Sequence, residues 1–137
     1  MQSLRGIFEV ISSDKQRLFI IIAFIVISAT AVPAIVPHIS HTDMVYHILV
    51  HTLGLIIAIF LTAVSIFAYL RNGGMRLFLM TIGFLLLVVM ELLYLSYSTS
   101  GVQGITIPGV DIELSHIILF AALILFASSI LKTNKLY

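Results

Sequence analysis

Four long apolar runs, separated by short polar segments, dominate the pattern along this chain. They cover residues 18–36, 44–70, 77–97 and 112–131, are 19 to 27 residues long, and contain no lysine or arginine. About twenty predominantly apolar residues are enough for a helix to cross the hydrocarbon core of a membrane. Because lipid offers no partner for backbone N–H and C=O groups, such runs form helices. The pattern therefore predicts an all-α integral membrane protein, a four-helix bundle that forms one membrane domain over residues 1–137.

Proline, glycine and a capping aspartate mark the ends of the predicted helices. Pro33 and Pro37 lack a backbone N–H, so they are expected to bend and then end the first helix. Gly73 and Gly74 stop the second helix and supply the turn to the third. Asp111 precedes the last apolar run and is expected to be the N-cap of the fourth helix.

The segment before the first run, residues 1–17, combines charged residues with an apolar stripe. Its apolar residues recur at the spacing of one helical face, at Leu4, Ile7, Phe8 and Ile11. This spacing predicts a short amphipathic helix that lies in the headgroup region of the membrane. The alternative is a frayed polar N-terminus without that helix.

The amino-acid composition limits the classes of protein to which this chain can belong. Of the 137 residues, 61% are hydrophobic and 9% are charged, whereas soluble domains carry about 25% charged residues. The net charge is +1, so the chain has no basic face for nucleic acid. It has no cysteine, which excludes disulfides, iron–sulfur clusters, thiolate-bound copper and a cysteine nucleophile. The expected partners are the lipid bilayer and other membrane subunits.

All basic residues lie on one side of the predicted topology. With four spans, the N-terminus, the second loop and the C-terminus share a side, and they hold every lysine and arginine: Arg5, Lys15, Arg17, Arg71, Arg76, Lys132 and Lys135. By the positive-inside rule this side is the cytoplasm. We therefore expect a multi-pass protein of the cell membrane with both termini cytoplasmic. The histidine-rich loop with His38 and His41 is then extracytoplasmic.

Histidines are concentrated where the second run begins. Four of the five histidines lie within residues 38–51. His47 and His51 are one helical turn apart, so they share a face of the second helix. That face continues through small or polar residues at Gly54, Ala58, Thr62 and Ser65. Small and polar side chains allow close helix packing in lipid, so this stripe and both histidines are expected to point into the bundle.

Three of the helices place ionisable side chains at a similar depth near the outer surface. From the 1.5 Å rise per residue, His47 and His51 lie ~4–5 Å and ~10 Å below the outer end of the second helix, and Glu91 lies ~9 Å below that of the third. Glu113 and His116 lie ~2 Å and ~6 Å below the outer end of the fourth, and their E-x-x-H spacing occurs in carboxylate-bridged metal sites. These positions predict a metal site formed by His47, His51, Glu91, Glu113 and His116.

Imidazole and carboxylate ligands suit zinc, copper or non-haem iron, and copper or zinc is the metal expected here. Two other functional interpretations stay open: a haem held by His51 and His116, and a metal-free proton relay through the same residues. Each residue also has a structural interpretation. Glu91 can be protonated and hydrogen-bonded to Tyr94 or a neighbouring helix, and Glu113 can favour the positive N-terminal end of the fourth helix.

Four short stretches carry a resemblance to a known group of proteins. They are residues 51–55 (HTLGL), 68–71 (AYLR) before the glycine pair, 82–84 (IGF) and 128–131 (SSIL). Through them, the chain from about residue 50 to 131 resembles an uncharacterised family of small archaeal membrane proteins. The resemblance implies a four-helix or three-plus-one helix bundle, and it implies no known activity. The chain is also similar in length and build to small accessory subunits of archaeal ammonia monooxygenase or respiratory complexes.

These observations predict a small integral membrane subunit of a larger multi-subunit membrane metalloenzyme complex, with a His/carboxylate cluster near the outer face. The similarity to archaeal accessory subunits implies that the complex is an ammonia monooxygenase or a respiratory oxidase, with this chain as an accessory, non-catalytic subunit. The alternative is a stand-alone membrane protein that binds a metal or haem for electron transfer or metal handling. A small transporter is a third candidate, although the two halves show no inverted repeat. An enzyme acting alone is disfavoured because no P-loop, HExxH or Ser/His/Asp motif is present.

Overall fold

The computed structural model of the chain describes residues 14–36, 42–100, 104–106 and 112–132. These residues form four α-helices: α1 (Lys15–Thr30), α2 (Thr42–Asn72), α3 (Met75–Ser100) and α4 (Leu114–Leu131). The prediction of an all-α chain with four helices is confirmed. His38, His41 and Asp111 lie outside the described residues. The predicted amphipathic segment also lies outside them, except for its last residues, 14–17.

Helix α1 begins at a capping aspartate and ends at a change of helix type. The Asp14 carboxylate accepts a hydrogen bond from the Arg17 backbone N–H at 3.1 Å and also pairs with the Arg17 guanidinium at 2.9 Å. After Thr30 the chain continues as a π-helical segment, Ala31–Ile35, which contains Pro33. Proline has no backbone N–H to donate, so it interrupts the hydrogen-bond ladder of an α-helix. The proline expected to disturb the first helix therefore lies where α-helix gives way to π-helix.

Helices α2, α3 and α4 are each long and apolar enough to cross a membrane. Helices α2 and α3 extend two or three residues beyond the predicted apolar runs at each end, because their polar end residues continue the helix. Helix α4 starts two residues later than predicted, and its N-cap is Glu113. The prediction that Asp111 is the N-cap is therefore wrong. Helix α1 has 16 residues of α-helix, fewer than the other three.

The turn between α2 and α3 depends on two glycines with positive φ angles. Gly73 has φ 64° and Gly74 has φ 95°, which are conformations that residues with a Cβ rarely adopt. The Gly73 N–H donates to the Tyr69 carbonyl at 2.7 Å, so it closes the last turn of α2. The predicted stop and turn at these glycines are confirmed.

Apolar side chains of α1, α2 and α3 form the core. Helix α1 presents Leu18, Ile22 and Val26, spaced by four residues along one face. Ile48, Leu55 and Ile56 of α2 and Leu95 of α3 complete the buried cluster. This core holds α2 between α1 and α3.

Helix α4 packs on α3 through small residues. Ser115, Ala122 and Ser129 recur every seventh residue and are fully buried. Opposite them, Gly83 leaves room for the ring of Phe126, which a Cβ at position 83 would meet at 2.6 Å. The Ser129 hydroxyl donates to the Arg76 carbonyl at 3.0 Å, which brings the end of α4 to the beginning of α3. The two helices are therefore antiparallel and close together.

Most of the remaining apolar surface is exposed. Among the described residues, each helix packs chiefly against its neighbours in the chain, and α1 and α4 do not pack extensively against each other. Large apolar side chains are exposed on all four helices, for example Phe24, Val50, Leu85 and Phe120. A surface of this kind needs lipid or protein to cover it.

Candidate functional site

One histidine–carboxylate pair joins α2 to α3. The Nδ1 atom of His51 lies 2.7 Å from Oε2 of Glu91, and the two side chains are only 16% and 14% exposed. Each residue lies nine positions from the end of its helix on this side of the molecule (42 to 51, and 91 to 100), or ~14 Å at 1.5 Å per residue. The matched depth predicted for these residues is thus realised as a direct contact.

A glycine on α2 makes room for the carboxylate. Gly54 lies one turn after His51, and a Cβ added there would be 2.5 Å from Oε1 and 2.8 Å from Cδ of Glu91. A side chain at position 54 and the observed carboxylate position are therefore incompatible. The sequence identified Gly54 as a packing residue, but its role as the seat of the Glu91 carboxylate needed the structure.

Two aromatic rings hold the His51 imidazole. Tyr94 stacks on it with ring centroids 4.5 Å apart and an interplanar angle of 19°. His47 meets it edge-on, with centroids 4.5 Å apart and an angle of 70°. Tyr94 follows Glu91 by three residues, a spacing that places both on one face of α3. This spacing was the sequence signal for a ring beside the pair.

The two histidines of α2 differ in exposure. His51 is half-buried, whereas His47 is exposed. The prediction that both point into the bundle is therefore right for His51 and wrong for His47. Ser65 lies at the same angle around the helix axis as His47 and is buried, so rotation does not account for the difference. His47 lies four residues closer than His51 to the start of α2, nearer the end of the bundle.

The rest of the polar stripe on α2 faces the neighbouring helices as predicted. Ala58, Thr62 and Ser65 are all buried. The hydroxyls of Ser65 and Thr81 are 2.8 Å apart and form a second polar link between α2 and α3. Polar contacts thus join these two helices at two levels.

The two predicted site residues of α4 form a pair of their own. The Nδ1 atom of His116 lies 3.6 Å from Oε2 of Glu113, and the side chains are 60% and 43% exposed. The Ser115 hydroxyl donates to the same carboxylate oxygen at 3.2 Å. The E-x-x-H spacing does bring these two side chains onto one face, but both remain in contact with the surroundings.

The ionisable residues are therefore arranged in two separate contacts. Within the described ranges, no three histidine, aspartate or glutamate side chains lie together as a group that could hold a metal ion. The structure joins His51 to Glu91, places His47 beside them, and pairs Glu113 with His116. The five-residue metal site, and copper or zinc as its metal, stay predictions.

One polar residue that the sequence did not single out lies near the α4 pair. The ring of Tyr97 and the carboxyl group of Glu113 both approach Gly104, with atoms 3.4 Å and 3.5 Å from where its Cβ would be. The Tyr97 hydroxyl is buried and has no hydrogen-bond partner among the residues that the structure describes. A tyrosine near the end of an apolar run gave no sequence signal for this environment.

Chemically, the His51–Glu91 contact fixes which nitrogen of His51 is engaged. When the carboxylate accepts from Nδ1–H, the neutral ring keeps its lone pair on Nε2.

Comparison of the chain with known protein families, with curated proteins and with solved structures finds no match.

Proposed function

We propose that this chain is an integral membrane subunit of a larger multi-subunit membrane complex, with the His51–Glu91 pair as its polar site near the outer face. One observation carries the proposal. Large apolar side chains are exposed on all four helices, for example Phe24, Val50, Leu85 and Phe120. This apolar surface needs lipid or protein to cover it, and we propose that other subunits cover part of it.

The small mass outside the helices favours a subunit over an independent enzyme. Among the described residues, only a glycine turn, residues 104–106 and a few helix-flanking positions are not helical. A metalloenzyme or oxidase needs several groups around its reaction centre, and among the described residues one histidine–carboxylate pair, His51–Glu91, joins two helices. The resemblance to archaeal accessory subunits points to an ammonia monooxygenase or a respiratory oxidase as the complex.

The proposed orientation in the cell membrane follows from the charges at the two ends of the helices. Arg71, Arg76 and Lys132 share one end, since the contact between Ser129 and Arg76 brings α4 back to the start of α3. The His51–Glu91 pair lies toward the other end. By the positive-inside rule the basic end is cytoplasmic. The continuous helical stretch 15–35 is ~31 Å long, close to the hydrocarbon thickness of ~30 Å, so it serves as the fourth span.

Native membranes provide the direct test of the subunit proposal. The membranes are extracted with a mild detergent, separated on a native gel, and the band that contains this chain is analysed by mass spectrometry. We expect a large band in which the chain occurs in fixed ratio with a catalytic subunit. A small band with this chain alone would overturn the proposal.

A photo-crosslinking residue distinguishes subunits that contact this chain from proteins that only migrate with it on the native gel. Placed at Phe120, which is exposed on α4, it should form crosslinks to a subunit of the same complex. Placed at Ile48, which is fully buried in the core, it should crosslink only within the chain. Crosslinking to lipid alone from Phe120 and from other exposed positions on the four helices would contradict the subunit proposal.

The orientation has its own test because the chain contains no cysteine. Asp43→Cys and Arg71→Cys place single thiols at exposed positions at the two ends of α2. A membrane-impermeant maleimide added to intact cells should label the first variant and not the second. Labelling of both from the same side would contradict the orientation.

The second candidate is a stand-alone membrane protein that handles a metal. The observation in its favour is the engaged Nδ1 atom of His51, which leaves Nε2 available as a ligand. A single-chain band that contains bound metal in the native-gel experiment would favour this candidate.

A further inference from the structure

The geometry points to a half-site for a transition-metal ion, formed by Nε2 of His51 and a ring nitrogen of His47. Its remaining ligands come from a neighbouring subunit or water, so this inference rests on the proposed function. Glu91 is a positioning residue in this site and not a ligand. The ion belongs to the class that prefers imidazole, with copper and zinc as its usual members.

Glu91 engages His51 in the way that carboxylates engage metal-binding histidines. A histidine ligand almost always donates its second ring N–H to a carboxylate, a carbonyl or water, which fixes the tautomer and raises the basicity of the ligating nitrogen. Here Nδ1 of His51 is bound to Oε2 of Glu91 at 2.7 Å. The other carboxylate oxygen, Oε1, faces the Gly54 backbone. The carboxylate is thus positioned to orient the ring.

The His51 ring is also fixed before any ion arrives. Tyr94 stacks on one face at a centroid distance of 4.5 Å, and the side chain is only 16% exposed. A ligand that is already ordered loses little side-chain entropy when the ion binds. In the part of the chain that the structure describes, no hydrogen bond to Nε2 of His51 is observed.

His47 supplies the second imidazole. It lies one turn before His51, and the two ring centroids are 4.5 Å apart. With metal–nitrogen bonds of about 2.0–2.1 Å, two rings on one ion have centroids roughly 5 Å apart. A small rotation of His47 therefore brings both rings onto one ion. Because His47 is exposed, a residue of a neighbouring subunit can reach the same ion.

Copper(II) is the probe, because it binds imidazole most strongly among the divalent ions of its row. The full chain is placed in lipid nanodiscs and titrated with Cu²⁺, and the coordination is followed by electron paramagnetic resonance. We expect one ion per chain with hyperfine structure from two imidazole nitrogens. His47→Ala and His51→Ala should each remove the two-nitrogen signal. Glu91→Gln should keep one ion per chain but weaken binding about 10–100-fold.

His116→Ala is the matched control, because His116 is the remaining histidine among the described residues and also lies near a glutamate. Its copper binding should equal that of the unchanged chain. Loss of helical circular dichroism identifies a variant that fails to fold. If His51→Ala fails to fold, the test rests on His47→Ala, because His47 is exposed and its replacement leaves the core unchanged. The half-site is overturned by absence of the two-nitrogen signal, by its persistence in His47→Ala, or by its loss in His116→Ala.

The native-gel experiment separates this inference from the proposed function. A large complex whose chain shows no two-nitrogen copper signal overturns the half-site and leaves the subunit proposal standing. A lone chain with the two-nitrogen signal overturns the subunit proposal and supports the ligand pair. Within the complex, a partner ligand should add a third signal or tighten binding relative to the isolated chain.

Discussion

Two histidine–glutamate pairs occur in the described part of this chain, and they differ in almost every physical respect. His51 and Glu91 belong to different helices, approach to 2.7 Å, and are 16% and 14% exposed. His116 and Glu113 are three residues apart at the start of one helix, lie 3.6 Å apart, and are 60% and 43% exposed. The same residue types therefore give a shielded contact between helices in one case and an open local contact in the other.

The comparison shows that sequence spacing and interaction strength are different properties. The E-x-x-H spacing guarantees that Glu113 and His116 are neighbours, but exposed pairs of this kind contribute little to stability. No local sequence spacing predicts the contact between His51 and Glu91, because the two residues are 40 positions apart. Both lie within apolar helices, where polar groups are costly unless they are paired. We therefore expect the consequences of mutation to be concentrated at His51 and Glu91.

The largest effect is expected from filling the space beside Glu91. Gly54→Leu would place a side chain where the Glu91 carboxylate now lies, so the carboxylate must leave His51 and the helices must separate. Overpacking and the lost polar contact together should lower the free energy of unfolding by about 3 kcal/mol. Reversible unfolding in bicelles, monitored by steric trapping, measures this change in the free energy of unfolding.

Two further variants make the Gly54 prediction specific. Gly54→Ala adds only a Cβ, and because the carboxylate is the mobile end of a flexible side chain, its cost should be about that of the lost contact alone, ~1–2 kcal/mol. Val50→Leu changes an exposed position on the same helix and should change stability by less than about 0.5 kcal/mol. Equal losses for Gly54→Leu and Val50→Leu would show that the space beside Glu91 is not restricted.

The next effect is the coupling between the members of each pair. A double-mutant cycle with His51→Ala and Glu91→Ala should give a coupling free energy of about 1–2 kcal/mol, near the upper values for polar contacts between membrane helices. The matched cycle with His116→Ala and Glu113→Ala should give about 0.2–0.5 kcal/mol, as for other pairs along one helix. Coupling of equal size in both cycles would remove the distinction between the pairs.

The helices themselves were largely predictable, because each depends on the length of a continuous apolar run. The runs at 44–70 and 77–97 appear as the middle parts of α2 and α3, and the glycine pair stops α2 where expected. The ends were less predictable. Glu113 and not Asp111 is the N-cap of α4, since capping depends on where the first turn forms and not on where apolar residues begin. The change to π-helix around Pro33 likewise depends on local backbone geometry.

The candidate site was predictable in part. Equal depth on antiparallel helices correctly suggested that His51 and Glu91 are close. Helical spacing gives the direction of a side chain but not how far neighbouring helices cover it near a helix end, so the same face of α2 holds the exposed His47 and the buried Ser65. Depth also cannot separate neighbouring helix pairs, and for this reason Glu113 and His116 were grouped with residues of α2 and α3. The five-residue metal site predicted from the sequence therefore stays a prediction.

A smaller effect is expected from the ring that stacks on His51. Tyr94→Leu removes the stacked aromatic face and should cost about 0.5–1.5 kcal/mol. Tyr94→Phe keeps the ring and should retain most of that stability. Thermal unfolding of both variants in one detergent measures the difference. If Tyr94→Phe loses as much as Tyr94→Leu, the hydroxyl and not the stacked ring is the stabilising group.

The smallest effect, and the sharpest contrast, concerns salt. The Debye length falls to about 3 Å at 1 M ionic strength, so exposed charges are then largely screened, whereas shielded pairs are screened much less. The coupling between His116 and Glu113 should therefore fall to within error of zero in 1 M NaCl. The coupling between His51 and Glu91 should keep most of its value in the same buffer, because both side chains are largely shielded by the helices around them. Repeating the two double-mutant cycles in 0.1 M and 1 M NaCl measures both responses. An equal loss of coupling at high salt would mean that solvent reaches the cross-helix pair as freely as the local one, and the basis for assigning function to His51 and Glu91 would be gone.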